Sequence, residues 1–240
     1  MSHNPLIRKL QRVMQLSAEE QANLEAACGK LHGFDAKQDI ISEGDRPNHI
    51  HLIVEGWAAR YKLLPDGSRQ ITALLIPGDF CNIHTTILGQ MDHGIVALTA
   101  CQVAYVSAQS IDELTANSAK LTRAFWWATL VDEAVMRQWI VNNGRRDAFE
   151  AIAHLLCEMH LRMRIVELGD DDRFSMPLTQ EEIADATGLT PIHTNRILQR
   201  LRADGLIELK KRVLTILNVE ALRSAGGFNP TYLHIQQRER

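Results

Sequence analysis

The sequence predicts an α+β protein built from three successive patterns: β-structure, then one long helix, then a pair of short helices with a hairpin. Three observations carry this. Glycines at 44, 56, 67 and 78 punctuate alternating apolar segments at intervals of eleven or twelve residues. Residues 118–143 run without glycine or proline and carry one apolar stripe. Residues 178–209, LTQEEIADATGLTPIHTNRILQRLRADGLIEL, place helix-start, turn and second helix-start signals in close order. The expected domains are 1–117, 118–143 and 144–240.

In the first stretch, Ile50, Leu52 and Val54 alternate with His49, His51 and Ile53, and Ile71, Ala73 and Leu75 continue the pattern. Pro65-Asp66-Gly67 and Pro77-Gly78-Asp79 are turn signals, because proline fixes φ and glycine accepts positive φ. Short strands with regular turns indicate a sandwich or barrel.

In the second stretch, Leu121, Phe125, Ala128, Val131, Val135 and Trp139 recur at three- and four-residue steps, one face of a helix. A stripe this long commonly meets its own copy across a twofold axis, so these six residues are the expected homodimer seam. Gly144 reads as the stop just past the helix. A second helix is expected from Asp147 to about Val166, followed by an acidic solvated loop at 167–172.

The third stretch carries the chemistry. Thr179 with Glu182 three residues on is a capping-box start. Gly188 breaks that helix, as in the tight turn of a helix-turn-helix, and Thr190-Pro191 opens the next one. On this second helix Thr194, Ile197, Leu198 and Leu201 fall inward, while Ile192, Asn195, Arg196 and Gln199 fall outward, with His193 in the first turn. An outward face of this kind suits the major groove: arginine pairs with guanine, asparagine or glutamine with adenine, and an aliphatic side chain meets the thymine methyl. A hairpin follows, 206–209 and 213–217, with Lys210, Lys211 and Arg212 at its tip, a basic wing suited to phosphates. The expected partner is double-stranded DNA, contacted by Thr179, Thr190, Pro191, Ile192, His193, Asn195, Arg196, Gln199, Lys210, Lys211 and Arg212.

Composition bounds the rest. The 45% hydrophobic and 23% charged content is that of a globular protein, and a net charge of −3 does not oppose a local basic face. No run approaches the roughly 18 apolar residues of a membrane span, and the amino terminus lacks a secretory apolar core, so no membrane partner and a cytoplasmic location are expected. Cys28, Cys81, Cys101 and Cys157 lack metal-site spacing and read as reduced thiols. His49, His51, His84 and His93 could ligate haem or a divalent metal, but no carboxylate or third ligand is evident beside the His49–His51 pair, so neither metal nor cofactor is predicted. Trp126, Trp127 and Trp139 read as helix core rather than a ligand stack. With no nucleophile elbow, phosphate loop or metalloprotease motif, no enzyme is predicted. The tail 226–240, GGFNPTYLHIQQRER, carries no legible structure.

At this point the chain resembles the Crp/Fnr superfamily of bacterial transcription regulators over nearly its whole length. Glu43-Gly44-Asp45, Val54-Glu55-Gly56 and Pro77-Gly78-Asp79-Phe80 look like segments of that family's cyclic-nucleotide-binding-type β-roll, a jelly roll. Residues 118–143 look like its dimerisation helix and the last third like its winged helix-turn-helix. The resemblance implies that Arg196 contacts a base. Pro191 and Ile192 replace the arginine–glutamate pair of the cyclic-AMP receptor branch. Asn82-Ile83 stands for that branch's glycine–glutamate pair, His93-Gly94 for its phosphate-holding arginine–serine pair, and Met136 and Arg137 for its base-contacting threonine and serine. A cyclic phosphate lacks its anion partners here, and the amino terminus lacks the cysteine cluster of the oxygen-sensing branch. The expected function is a homodimeric regulator on a near-palindromic operator, not controlled by cyclic AMP. Its effector is unknown, and an activator would also touch RNA polymerase. Two alternatives stay open: a regulator obligately gated by a small molecule, gas or haem in the β-roll, and a sensory protein-interaction module that has lost DNA binding.

Overall fold

The computed structural model describes residues 4–235, so the last five residues of the tail lie outside the described residues. The described chain forms two compact units. The first takes residues 4–62, 73–133 and 234–235; the second takes 63–72 and 134–233.

The first unit opens with two helices that sequence periodicity did not announce. In α1 (Pro5–Gln11), Asn4 accepts the Leu6 N–H at 3.0 Å, and Pro5, Leu6, Ile7 and Leu10 are buried. In α2 (Ala18–Ala27), Ser17 and Glu20 form a reciprocal capping box. Two sheets follow, antiparallel at β1-β7, β3-β7, β2-β6 and β4-β6, built from β1 (Leu31–Phe34), β2 (Asp39–Ile41), β3 (His49–Glu55), β4 (Ala58–Leu63), β5 (Arg69–Leu75, of which only 73–75 fall in this unit), β6 (Gly94–Ala97) and β7 (Cys101–Ser107). Their strand orders are β1-β7-β3 and β2-β6-β4-β5. Strand β3 is buried on both faces, which explains its nearly continuous apolar run. Ile50 and Leu52 pack with Leu6, Phe80, Leu121 and Phe125; Ile53 packs with Ile41, Ala58, Ile95 and Val103 in the second core. Gly56 is required: its φ is +85°, and a Cβ there would lie 2.2 Å from the Ala100 carbonyl. A one-turn helix, α3 (Thr85–Leu88), interrupts the strands, and α4 (Ala108–Asn117) starts at Ser107, which accepts the Ser110 N–H at 3.0 Å.

The long helix α5 spans Ala119–Arg145, so Gly144 lies in its last turn rather than beyond it. The six residues expected at the dimer seam, Leu121, Phe125, Ala128, Val131, Val135 and Trp139, are all buried within their own chain. The assignment is therefore corrected: side chains already covered have no surface left for a second copy. The opposite side of α5 is the exposed one. Trp126 (70% exposed), Leu130 (53%), Glu133, Arg137 and Ile140 (68%) follow one another at alternating four- and three-residue steps. Ile87 and Leu88 of α3 are also exposed, and Ile87, Leu88, Trp126 and Leu130 line one groove of the first unit.

In the second unit α6 (Ala148–Ile165) begins at Asp147, capped in a box with Glu150. Eleven of its residues from Ala151 to Met163 are buried, as befits a helix with neighbours on most sides. The acidic run forms a hairpin turn rather than only a loop: the Asp170 N–H donates to the Arg173 carbonyl at 2.8 Å. It leads into a short strand, β8 (Arg173–Ser175), that sequence reading passed over. Helices α7 (Gln180–Thr187) and α8 (Pro191–Ala203) precede β9 (Ile207–Lys210) and β10 (Val213–Ile216), and the sheet order is β8-β10-β9. Finally α9 (Val219–Ala225) and a 3-10 turn (Pro230–Leu233) close the unit, burying Leu222, Phe228 and Leu233. The early part of the tail is thus ordered core.

All four cysteines are free. Burial pushes the Cys157 thiol up to about 12, far from the thiolate a reactive or metal-binding cysteine needs.

Candidate nucleic-acid interface

The helix pair is held by the local signals that announced it. The Glu182 N–H donates to Thr179 Oγ1 at 3.2 Å, and the Thr179 N–H donates back to Glu182 Oε2 at 2.7 Å. Gly188 ends α7 in left-handed backbone at φ +68°, a conformation only glycine adopts without strain. Thr190 then accepts the His193 N–H at 3.3 Å, and Pro191 takes the first helical position, where its missing N–H costs nothing.

The inner face of α8 is as expected. Thr194, Ile197, Leu198 and Leu201 are buried. Of the outer face, Ile192 is 75% exposed, and Arg196 and Gln199 are exposed too. Asn195 differs. It is half-buried, and its Oδ1 accepts a hydrogen bond from Gln180 Nε2 at 3.0 Å, which fixes the orientation of the amide. Gln180, at the start of α7, is the neighbour sequence reading missed. The signal was available: it directly follows the cap residue Thr179 and so opens the helix that α8 packs against. His193 is half-buried in the first turn, and Thr179, Thr190 and Pro191 are exposed at the two helix starts. Beside them Arg200 lies over the Phe149 ring at 4.3 Å, a cation–π contact that ties it to α6.

The wing tip is a two-residue turn, Lys211-Arg212, and Lys210 is the last residue of β9. Both tip residues have left-handed backbone, φ +49° and +62°. Hairpins of this length favour asparagine or glycine there, so two strained cations hold positions that cheaper residues would fill. Lys210 is paired with Glu208. Among the described residues no ion pair engages Arg196, Lys211 or Arg212. Replacing Lys211 and Arg212 together by glycine is expected to stabilise the fold by about 0.5–1 kcal/mol per site. It should also weaken binding to all DNA alike and flatten the log K against log salt slope by about 1.8 per protomer, or about 3.6 for a dimer. Thermal melts and a salt titration check both, and an unchanged slope removes the wing from the interface.

In the β-roll, the positions matched to nucleotide-binding residues are occupied otherwise. Asn82 is fully buried: its Oδ1 accepts the His51 N–H at 2.7 Å and its Nδ2 donates to the His49 carbonyl at 2.9 Å. Gly94 lies under the Tyr61 ring, where an added Cβ would approach to 2.5 Å, so a larger residue there requires the ring to shift. Arg60, the strongest cation nearby, donates to the Phe80 carbonyl at 2.7 Å and to Asp132 Oδ2 at 2.9 Å.

Comparison with known proteins agrees with this architecture. Residues 31–118 match the cyclic nucleotide-binding domain and residues 150–225 the Crp-like helix-turn-helix domain. The chain belongs to the Crp/Fnr family of transcription regulators. It is 28% identical over 214 residues to the transcriptional activator protein FnrL of Cereibacter sphaeroides, covering 87% of this chain and 85% of that one. It is 28% identical over 213 residues to the nitrogen fixation regulation protein FixK of Bradyrhizobium diazoefficiens, covering 88% of each. The solved structure of FixK2 from Bradyrhizobium japonicum superimposes with a TM-score of 0.74 at 24% identity, over 82% of this chain and 96% of that one, a likeness of fold. The protein is a DNA-binding transcription regulator of this family. Among the described residues no helix is long and apolar enough to cross a membrane.

Proposed function

We propose that the protein binds a near-palindromic operator as a homodimer, independently of cyclic AMP. Residues 1–117 act as the sensor, 118–143 as the dimerisation helix and 144–240 as the DNA reader. The observation that carries the reading is the outer face of α8, where Ile192, Arg196 and Gln199 stand exposed beside a wing whose tip cations are unpaired. Dimerisation sets two such helices about one DNA turn, roughly 34 Å, apart. The Asn82 knot, and His93-Gly94 in place of an arginine–serine pair, support control by something other than a cyclic phosphate. The relatives include proteins named as activators, and an activator role here would bring RNA polymerase as a second, cytoplasmic partner.

Selection of purified full-length protein against a randomised duplex library at physiological salt tests this. The retained pool is expected to hold a spaced palindrome. Arg196→Ala should cost about 1–3 kcal/mol on that site and relax base choice at one position of each half. A pool without sequence preference, or an Arg196→Ala variant with unchanged affinity and preference, refutes the assignment.

A further inference from the structure

Two imidazoles of the β-roll meet in a way that DNA binding does not use. His84 precedes α3 and His93 precedes β6, and their ring centroids lie 5.4 Å apart with the planes 35° from parallel. The Nε2 atoms of both rings are buried and have no hydrogen-bond partner. Buried imidazole nitrogens normally find one, so a pair of orphans in one place calls for a ligand. Asp92 supplies the third group: its Oδ1 lies 2.6 Å from His93 Nδ1. One ligand atom from each of His84, Asp92 and His93 falls within 4.8 Å of the others.

We propose that His84 and His93 bind a divalent first-row transition-metal ion through Nε2, with Asp92 orienting His93. The carboxylate accepts the Nδ1 proton of His93, which leaves the lone pair on Nε2; this is the outer-sphere arrangement that metal-bound histidines commonly have. Ring spacing agrees. With metal–nitrogen bonds of about 2.0–2.1 Å and a tetrahedral angle, two coordinating imidazoles place their centroids about 5.2 Å apart. The donor set selects the ion class, since imidazole suits zinc, nickel, cobalt, copper or ferrous iron rather than magnesium or calcium. The neighbouring cations do not forbid the site, because both are already matched: Arg60 to Asp132, and Lys62 to Glu43 and the Asp92 carbonyl. Two protein nitrogens leave coordination positions open for water or a small ligand.

The test is a titration of chelator-stripped, full-length protein with cobalt(II), followed by displacement with zinc(II) in a calorimeter, with no DNA present. It therefore stands or falls apart from the DNA reading. One ion per chain is expected, with a Kd of micromolar or tighter and visible d–d absorption. His84→Ala and His93→Ala should each weaken binding at least a hundredfold, and Asp92→Asn ten- to a hundredfold. His49→Ala, in the other histidine group of the β-roll, should leave the affinity unchanged. Zinc should raise the melting temperature of the unmodified protein and not that of the His84→Ala, His93→Ala double variant. A Kd weaker than about 1 mM overturns the proposal, as does equal binding by the histidine variants. If either alanine variant fails to fold, the exposed Asp92 carries the test: unchanged affinity in Asp92→Asn overturns it.

Discussion

Replacing Trp126 and Leu130 by glutamate is expected to turn a dimer into a 27.0 kDa monomer and to cut operator affinity by two or more orders of magnitude. Helix α5 has two apolar sides. One is spent inside its own chain; on the other, within the first unit, Trp126 and Leu130 stand exposed one helical turn apart and line a groove with Ile87 and Leu88. A contiguous exposed apolar groove marks an interaction site, and its place on the long helix fits a second copy of the same helix. Glutamates at both positions would bury like charges against each other in the dimer. The monomer would still fold, because neither side chain belongs to the core. Each half-site would then be bound singly, and the gain from linking two readers, about 10²–10⁴, would be lost. Val131→Ala on the buried side serves as the contrast: it should lower stability and leave the mass at twice 27.0 kDa. Sedimentation equilibrium distinguishes the cases, and a doubly substituted protein that stays dimeric places the seam elsewhere.

The error in the expected seam is instructive. Periodicity reports that a face is apolar, not what covers it. The stripe from Leu121 to Trp139 is apolar at every step, whereas the exposed one is interrupted by Glu133 and Arg137, and the continuous stripe proves to be the chain's own core. Capping boxes show the same limit. Thr179–Glu182 and Asp147–Glu150 were followed by clear apolar periods and were legible as helix starts; Ser17–Glu20 has the same chemistry, but α2 buries only Leu24, so no period announced it. Strand β8 is three residues long and emerges from an acidic run, and only its pairing with β10 makes it a strand. At the reading face, the inward and outward sides of α8 were legible from spacing alone, whereas the Gln180–Asn195 bond joins residues fifteen apart and was not. The His84–His93 contact is tertiary in the same sense: Asp92 was adjacent in sequence all along, but only the return of the chain from α3 to β6 brings the second imidazole to it.

Glu158→Ala is expected to cost about 3–5 kcal/mol, a large part of the 5–15 kcal/mol that holds a typical domain folded. Glu158 lies in α6 and is fully buried. Trp139 Nε1 donates to its two oxygens at 3.2 and 3.3 Å, Tyr232 Oη donates at 2.8 Å, and Arg162 Nη1 donates at 3.2 Å one helical turn on. One carboxylate thus joins the end of α5, the centre of α6 and the closing 3-10 turn of the second unit. Alanine would leave an arginine charge, an indole N–H and a phenol O–H without their common acceptor, and an uncompensated buried donor costs more than the bond itself was worth. The conservative variants rank the causes. Glu158→Gln keeps an acceptor but removes the charge facing Arg162, and should cost less than alanine. Tyr232→Phe removes one donor along with its bond and should cost about 1–2 kcal/mol. The tyrosine also explains why the chain past α9 is ordered at all: its ring stacks on His154 at 5.9 Å and its hydroxyl is anchored on Glu158. Urea unfolding of the three variants, followed by the fluorescence of Trp139 and its neighbours, gives the order directly. An alanine variant within about 1 kcal/mol of the parent would mean that these donors find other partners, and that α6 is held by its apolar packing alone.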